Sequence, residues 1–422
     1  MKKITHILGI IFLFLCSTLI AQENNEPDYL RINASRQLKV ILNCWSDPED
    51  YPSLQYRTNL NKTWQKVIPD QPINVYNGYI ELKANGTNSK IYPSRIEINS
   101  SRCVDISGNI MTLLDETGEL DTIPTDYCFS FLFDCYKTAL NLSNLTLPAT
   151  KLRKGCYERM FYQSKIENFP NNLPASILSE NCYEQMFALC ELNCEIPNDF
   201  LPATELAMNC YKEMFAQCTN LSIPDHLLPA QNLKSNCYRK MFAGSDLISI
   251  PETLLPATKL EKACYAGMFN KCINLAEIPR HLLPATQLAT GCYEHMFSDC
   301  NSLTTIPETL LPAILLSDSC YLGMFANCTN IHDLPQHLLP ATTLSPYCYK
   351  EMFINSGLSI LPTNLLPATQ LAPSCYYSMF QDCIDLESPT ELPATTLSDA
   401  CYSCMFRYCQ SLRTAPILRS LK

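Results

Sequence analysis

The residues best suited to chemistry in this sequence are its cysteines, which number 24 among 422 residues. Thiols can form disulfides, bind metal ions or act as nucleophiles. Eleven cysteines recur every 26–28 residues, ten followed by tyrosine and one by phenylalanine: Cys128, Cys156, Cys182, Cys210, Cys237, Cys264, Cys292, Cys320, Cys348, Cys375 and Cys401. They are termed anchor cysteines, and positions in each unit are numbered from them.

A second cysteine stands eight residues after most anchors, but three units carry serine there: Ser164, Ser245 and Ser356. A disulfide partner or metal ligand would not tolerate that exchange. The pattern therefore favours a row of buried thiols that pack as small apolar groups. Disulfides between neighbouring units are the alternative. Zinc is not expected, because the pair Cys401 and Cys404 has no second Cys-x-x-Cys pair to converge with.

Histidine and tyrosine also recur. His226, His281 and His337 share one position in alternate units, which strand spacing would place about 10 Å apart, too far to share a metal ion. We interpret them as surface residues. The tyrosine that follows ten of the anchors could form a sugar-stacking ladder, but its spacing from Met and Phe at +4 and +5 favours a place in the core.

No catalytic motif is present. The sequence has no nucleophile elbow, no Walker loop and no His-Glu-x-x-His. Asp115 and Glu116 are adjacent acidic residues, but no second catalytic group is predicted beside them. The sequence therefore predicts no catalytic residue, no metal and no cofactor, although acids that converge from distant places could still make a glycosidase.

The repeat predicts the elements that position these residues. The motif Cys-Tyr-x-x-Met-Phe-x-x-Cys places apolar residues at 0, +1, +4, +5 and +8, which predicts a short amphipathic helix that starts two residues before the anchor. Runs such as 275–279 and 303–307 predict short strands that end at proline. Units this small must stack. We expect an α/β repeat solenoid of eleven units over 128–416, with parallel strands on one face and short helices on the other.

The string Met-Phe-x-x-Cys-x-x-Leu-x-x-Ile-Pro resembles the BspA-like group of leucine-rich-repeat bacterial surface proteins, over about 122–416. The Leu-Pro-Ala-Thr and Cys-Tyr elements depart from the commoner form of that repeat. The resemblance implies a right-handed leucine-rich-repeat solenoid, secretion and, in some members, adhesion to host matrix proteins or other cells. It brings no catalytic residues.

The segment before the repeats lacks the repeat motif. Residues 22–105 predict short strands at 38–42, 80–83 and 95–98, and we expect a β-sandwich-like domain there. Residues 106–127 are expected to cap the repeats, and 417–422 to form a tail.

Export is predicted by the first 21 residues, where Lys2 and Lys3 precede a short apolar run. Lipid attachment at Cys16 is the alternative to simple secretion. No second apolar stretch is long enough to predict a transmembrane segment. The net charge of −10 divides into +2 for 1–21, −5 for 22–127 and −7 for 128–422, so a nucleic-acid partner is not expected.

One set of residues remains as a candidate binding face. These residues are polar, lie at the predicted outward strand positions and differ between units: Glu167, Asn168, Ser222, Ser249, Glu277, Thr304, Thr305, His332, Asp333, Ser359, Arg413 and Thr414. A varied stripe on a repeated framework is how repeat proteins offer a binding surface. We therefore expect a secreted or surface-displayed adhesion module for an unidentified protein or glycan, of undetermined oligomeric state. The alternatives are a structural envelope protein without a ligand and, third, an enzyme acting on glycan or peptide.

Overall fold

The computed structural model describes residues 26–44, 51–136 and 138–418. The predicted signal peptide, Cys16 and residues 419–422 of the predicted tail therefore lie outside the described residues. Among the described residues, no helix is long and apolar enough to span a membrane.

The strands form one mixed sheet of ten. In chain order they are β1 (Leu30–Cys44), β2 (Leu54–Thr58), β3 (Gln65–Lys66), β4 (Ile73–Ala84), β5 (Ser94–Ser100), β6 (Val104–Asn109), β7 (Phe133–Asp134), β8 (Ala139–Thr146), β9 (Lys165–Asn168) and β10 (Glu191–Leu192). The strands expected at 38–42, 80–83 and 95–98 are confirmed, within β1, β4 and β5.

The sheet changes from antiparallel to parallel where the repeats begin. β1 is its centre and pairs antiparallel with β4, β5 and β6. β6 then pairs in parallel with β8, which pairs with β9, which pairs with β10. A single apolar core runs along the chain from Leu30 to Met405. The N-terminal strands therefore share one sheet and one core with the repeats.

The predicted α/β solenoid with helices on one face is wrong. Among the described residues the only helix is a single 3-10 turn, Ile110–Leu113. The Cys-Tyr-x-x-Met-Phe segments, where helices were expected, are successive tight turns. Residues 275–279 and 303–307, where strands were expected, do not form strands either.

The Cys-Tyr-x-x-Met-Phe segments form turns rather than helices because every fourth residue has a positive, left-handed φ. In the unit of Cys156, Gly155, Arg159 and Gln163 all have positive φ, at 58°, 52° and 57°. The same positions, −1, +3 and +7, have positive φ in the units that follow. An α-helix needs negative φ at every residue, so this geometry excludes one.

The backbone hydrogen bonds alternate between two partners. Amides at even positions close turns within the unit, such as Met160 N to Tyr157 O at 3.3 Å. Amides at odd positions donate to the next unit, such as Tyr157 N to Cys182 O at 2.9 Å. Each unit thus satisfies half of these amides only by stacking on its neighbour.

A four-residue turn returns every fourth side chain to the same direction, which builds columns through the stack. The tyrosines at +1 stack ring on ring, as Tyr321 and Tyr349 do with centroids 5.8 Å apart and planes 1° apart. The phenylalanines at +5 form a second column, in which Phe353 and Phe380 lie 5.8 Å apart. The predicted core role of these tyrosines is confirmed, since those from Tyr157 to Tyr376 are at most 2% exposed.

Candidate functional site

The candidate binding face lies at the surface of the stack. Ten of its twelve residues are exposed, and Glu167 and Ser359 are half-buried. Thr304 and Thr305 show how the chain positions them, because buried Leu303 and Ile306 on either side turn the two threonines outward. The same alternation holds Ser222 between Leu221 and Ile223. The core residues repeat, so they fix where these variable side chains stand.

Near the C-terminal end of the described chain, consecutive units are linked across this face. His332 Nδ1 lies 2.9 Å from the carbonyl oxygen of Gly357, and Ser359 Oγ donates to His332 O at 3.3 Å. The backbone amide of Glu387 donates to Ser359 O at 2.9 Å. Arg413 then contacts the Glu387 carboxylate at 3.4 Å. These contacts order His332, Ser359 and Arg413 relative to one another.

At the other end, Glu167 and Asn168 belong to β9. Asn193 Nδ2 donates to Glu167 Oε1 at 2.8 Å, and Lys165 pairs with Glu191 at 2.7 Å. Like-positioned side chains of successive units thus carry complementary groups. With Arg102 and Cys103, the residues of β9 also line a shallow depression of about 570 Å³.

The middle of the face holds a larger depression of about 650 Å³. Glu277 and Thr305 of the candidate binding face line it, together with Glu252, Glu308 and Arg280. Its carboxylates and hydroxyl can accept or donate hydrogen bonds to a polar ligand. Ser249, Asp333 and Thr414 are exposed elsewhere on the face and do not line this depression.

The anchor cysteines and the cysteines at +8 are structural parts of the core. In the described residues the anchor thiols are buried and free, and the +8 thiols are buried or half-buried and free. Each +8 thiol donates to the phenylalanine carbonyl of the preceding unit, as Cys272 Sγ does to Phe242 O at 3.2 Å. Ser245 shows why serine can replace cysteine, because its hydroxyl bonds the same carbonyl at 2.8 Å.

Burial makes these thiols unreactive. Desolvation raises the pKa of Cys156, Cys264 and Cys320 to about 12. A thiol is nucleophilic and binds metals only as a thiolate, so these groups stay inert at neutral pH. Among the described residues, no group of three or more His, Cys, Asp or Glu side chains is placed to hold a metal ion.

The sequence interpretation missed a second surface, formed by the turns. Two adjoining depressions of about 400 and 330 Å³ lie there and share Lys240 and Asn270. The signal was present at the +2 and +3 positions, where most units carry charged or long polar residues but one carries Ala266 and Gly267. Small residues at +2 and +3 leave space between neighbouring units.

Comparison with known proteins finds no protein-family model, no curated protein and no solved structure that matches this chain.

Proposed function

We propose that this chain is an exported binding or adhesion module, without catalytic activity, that holds a protein or glycan ligand on the candidate binding face. The observation that carries the proposal is the contrast between the two kinds of position. The core residues of successive units are nearly identical, whereas the exposed residues beside them vary in charge and size. Such a surface can be specific for one ligand without any change to the framework.

The proposal also places the protein outside the cytoplasm or at the cell surface, in a role like that of BspA-like surface proteins. The signal-like first 21 residues and the Met-Phe-x-x-Cys motif support this part. The depression around Glu277 and Thr305 supports a polar ligand, because carboxylates and hydroxyls line it.

The test is an array of matrix proteins, mucins and glycans probed with the purified chain that lacks residues 1–21. A ligand found in this way is then titrated against a variant that carries Glu277→Ala, Thr305→Ala and His332→Ala. A matched control variant carries Gln287→Ala, Thr343→Ala and Gln370→Ala, which are exposed side chains on the return segments of nearby units.

We expect the first variant to lose at least tenfold in affinity and the control to change by less than twofold. Absence of any ligand on the array would contradict the proposal, and so would binding that survives the first variant. Recovery of the chain in the cell-envelope fraction together with an empty array would favour a structural envelope protein instead.

A further inference from the structure

The two adjoining depressions of the turn surface, termed the paired depressions, have a floor of small residues: Ala243, Gly244, Ala266 and Gly267. Several other units carry longer side chains at these positions, which would fill the space. The two volumes, about 400 and 330 Å³, each fall within the range of about 300–1,000 Å³ that small-molecule sites occupy. Two adjacent parts of one ligand can therefore lie side by side in them.

The charges that line the paired depressions balance. They are three carboxylates and three cations: Glu213, Glu294, Asp299, Arg239, Lys240 and Lys271. Because these charges sum to zero, net attraction favours neither an anionic nor a cationic ligand. In the described part of the chain none of the six forms an ion pair, whereas Lys212 nearby is paired with Glu184 at 2.7 Å.

The lining also holds both hydrogen-bond donors and acceptors that have no protein partner. Among the described residues, Lys240 and Lys271 form no side-chain hydrogen bond, and an ammonium group can only donate. Glu294 has no side-chain bond either, and a carboxylate can only accept. Asn270 donates its Nδ2 to Ser298 O at 3.1 Å, which leaves its Oδ1 as a second acceptor. The ligand that matches this lining must both donate and accept.

Two of the carboxylates are fixed in place by their neighbours. Asp299 accepts hydrogen bonds from Ser298 Oγ at 2.9 Å and from Asn327 Nδ2 at 3.0 Å. Glu213 accepts one from Gln185. Side chains that are already ordered lose little further freedom when a ligand binds, so this part of the lining is preorganised.

The lining is unsuited to most other classes of ligand. It has no apolar side chain larger than alanine, whereas a lipid or an apolar peptide needs pockets for larger apolar groups. A nucleic acid needs an excess of cations and aromatic side chains on which its bases stack. The lining has no such excess, and its one ring is that of His295. A neutral ligand covered with hydroxyl groups fits, because each hydroxyl both donates and accepts.

We propose that the paired depressions bind a neutral oligosaccharide, with adjacent sugar rings in the two depressions. Lys240 and Lys271 donate hydrogen bonds to sugar oxygens, and Glu294 and Asn270 Oδ1 accept them from sugar hydroxyls. Lys240 and Asn270 line both depressions, so they contact both rings. This surface differs from the candidate binding face, and its failure to bind a sugar leaves the proposed function standing.

The experiment measures binding of maltotetraose, cellotetraose and mannotetraose to the purified chain by calorimetry, with tetragalacturonic acid and hexalysine as charged probes. The test variant, Lys240→Met with Glu294→Met, removes one donor and one acceptor and keeps the net charge of the lining at zero. Its matched control, Lys259→Met with Glu205→Met, makes the same changes at exposed residues outside the paired depressions.

A third variant, Ala266→Lys, fills the floor of the paired depressions. The units of Cys210 and Cys348 carry lysine at this position, so the repeat accepts the change. Circular dichroism of each variant confirms that it has folded before its binding is measured.

We expect at least one neutral tetrasaccharide to bind and both charged probes to bind at least tenfold more weakly. Because that sugar is uncharged, its affinity should change less than twofold between about 0.05 and 0.5 M salt. The test variant and Ala266→Lys should each weaken binding at least tenfold, and the control less than twofold.

The proposal is overturned if no neutral tetrasaccharide binds, if a charged probe binds as tightly as a neutral one, or if affinity falls as salt is added. It is also overturned if the test variant and its control weaken binding alike or if Ala266→Lys leaves binding unchanged. Loss of sugar binding in the variant that carries Glu277→Ala, Thr305→Ala and His332→Ala would place the sugar on the candidate binding face instead.

Discussion

At the scale of single residues, the tyrosine column contains polar groups that gain nothing from burial. The hydroxyl oxygens of Tyr157, Tyr238, Tyr293 and Tyr349 are buried without a hydrogen-bond partner in the described part of the chain. A buried polar group without a partner costs about 1–3 kcal/mol. The column is therefore held by ring stacking and apolar burial, and the hydroxyl opposes it.

Replacement of Tyr293 by phenylalanine should therefore stabilise the protein by about 1 kcal/mol, because it removes an unpaired hydroxyl and keeps the stacked ring. The reverse change at the neighbouring column, Phe297→Tyr, should destabilise it. Urea unfolding followed by circular dichroism gives the midpoints. A lower midpoint for Tyr293→Phe than for the unaltered chain would show that the hydroxyl has a partner.

A second prediction at the scale of single residues concerns the positive φ of the turn residues. Ala263 has φ of 51°, in the left-handed region, whereas Ala266 of the same unit does not have positive φ. Both are buried, at 5% and 4% exposure. Glycine removes a strain of roughly 1 kcal/mol at the first site but only adds chain entropy at the second. Ala263→Gly should therefore unfold at higher urea than Ala266→Gly, and equal midpoints would contradict the turn geometry.

At the scale of elements, the sequence predicted the period, the buried faces and three N-terminal strands, but not the conformation of the unit. Apolar residues at 0, +4 and +8 fit a four-residue turn as well as they fit a helix, because eight residues of helix drift by only about 80°. The feature that decides between turn and helix is the positive φ of the residues at −1, +3 and +7. Gly, Asn or Asp, which favour positive φ, occupies these positions in many units, as Gly291, Asn327 and Asp382 do, but other units carry residues such as Leu189, Lys271 and Tyr347, which give no such signal.

The candidate surfaces were predictable to a similar extent. The twelve polar residues of the candidate binding face reach the surface because the buried residues beside them do recur in the sequence. The depressions of the turn surface left a signal in the sequence, the small residues Ala266 and Gly267, but not their place, because Ala266 and Lys240 become neighbours only through turn columns that a helix would not form. Element conformation, rather than burial, was the missing information.

The thiol columns predict a loss of stability in alkali. The pKa of Cys190 and Cys328 is raised from 9.0 to about 12 by burial. Such a group contributes its full stability below pH 9, and that stability is lost as pH rises from 9 toward 12. The loss is about 1.4 kcal/mol per pH unit for each thiol, so many thiols together should give a steep fall.

We therefore expect the melting temperature to be nearly constant between pH 6 and 8 and to fall sharply above pH 9. Cys328→Ser, which copies the natural Ser245 at the same position, removes one of these thiols. Between pH 8 and 10.5 this variant should lose about 2 kcal/mol less stability than the unaltered chain. A melting temperature that stays flat to pH 11 would contradict the buried thiol columns.

At the scale of the whole molecule, the stack has a direction. In each pair of neighbouring units, the odd amides of the earlier unit donate to carbonyls of the later one, as Phe269 N does to Met296 O at 3.0 Å. These bonds are aligned along the stack, so their dipoles add, as peptide dipoles do in a helix. The positive end faces the C-terminal side, where the last described unit begins at Cys401.

This polarity predicts which amides exchange with solvent. The amides of Tyr376, Phe380 and Asp382 donate to the next unit at 2.9–3.0 Å, whereas those of Tyr402 and Phe406, one unit later, meet no acceptor among the described residues. Hydrogen exchange resolved to single residues should therefore be slow in the first set and fast in the second, because unbonded amides are unprotected. The turn amide of Met405, bonded at 3.2 Å, is the control within the last unit and should exchange more slowly than its neighbours. Equal protection at Tyr376 and Tyr402 would mean that the odd amides do not hold the units together.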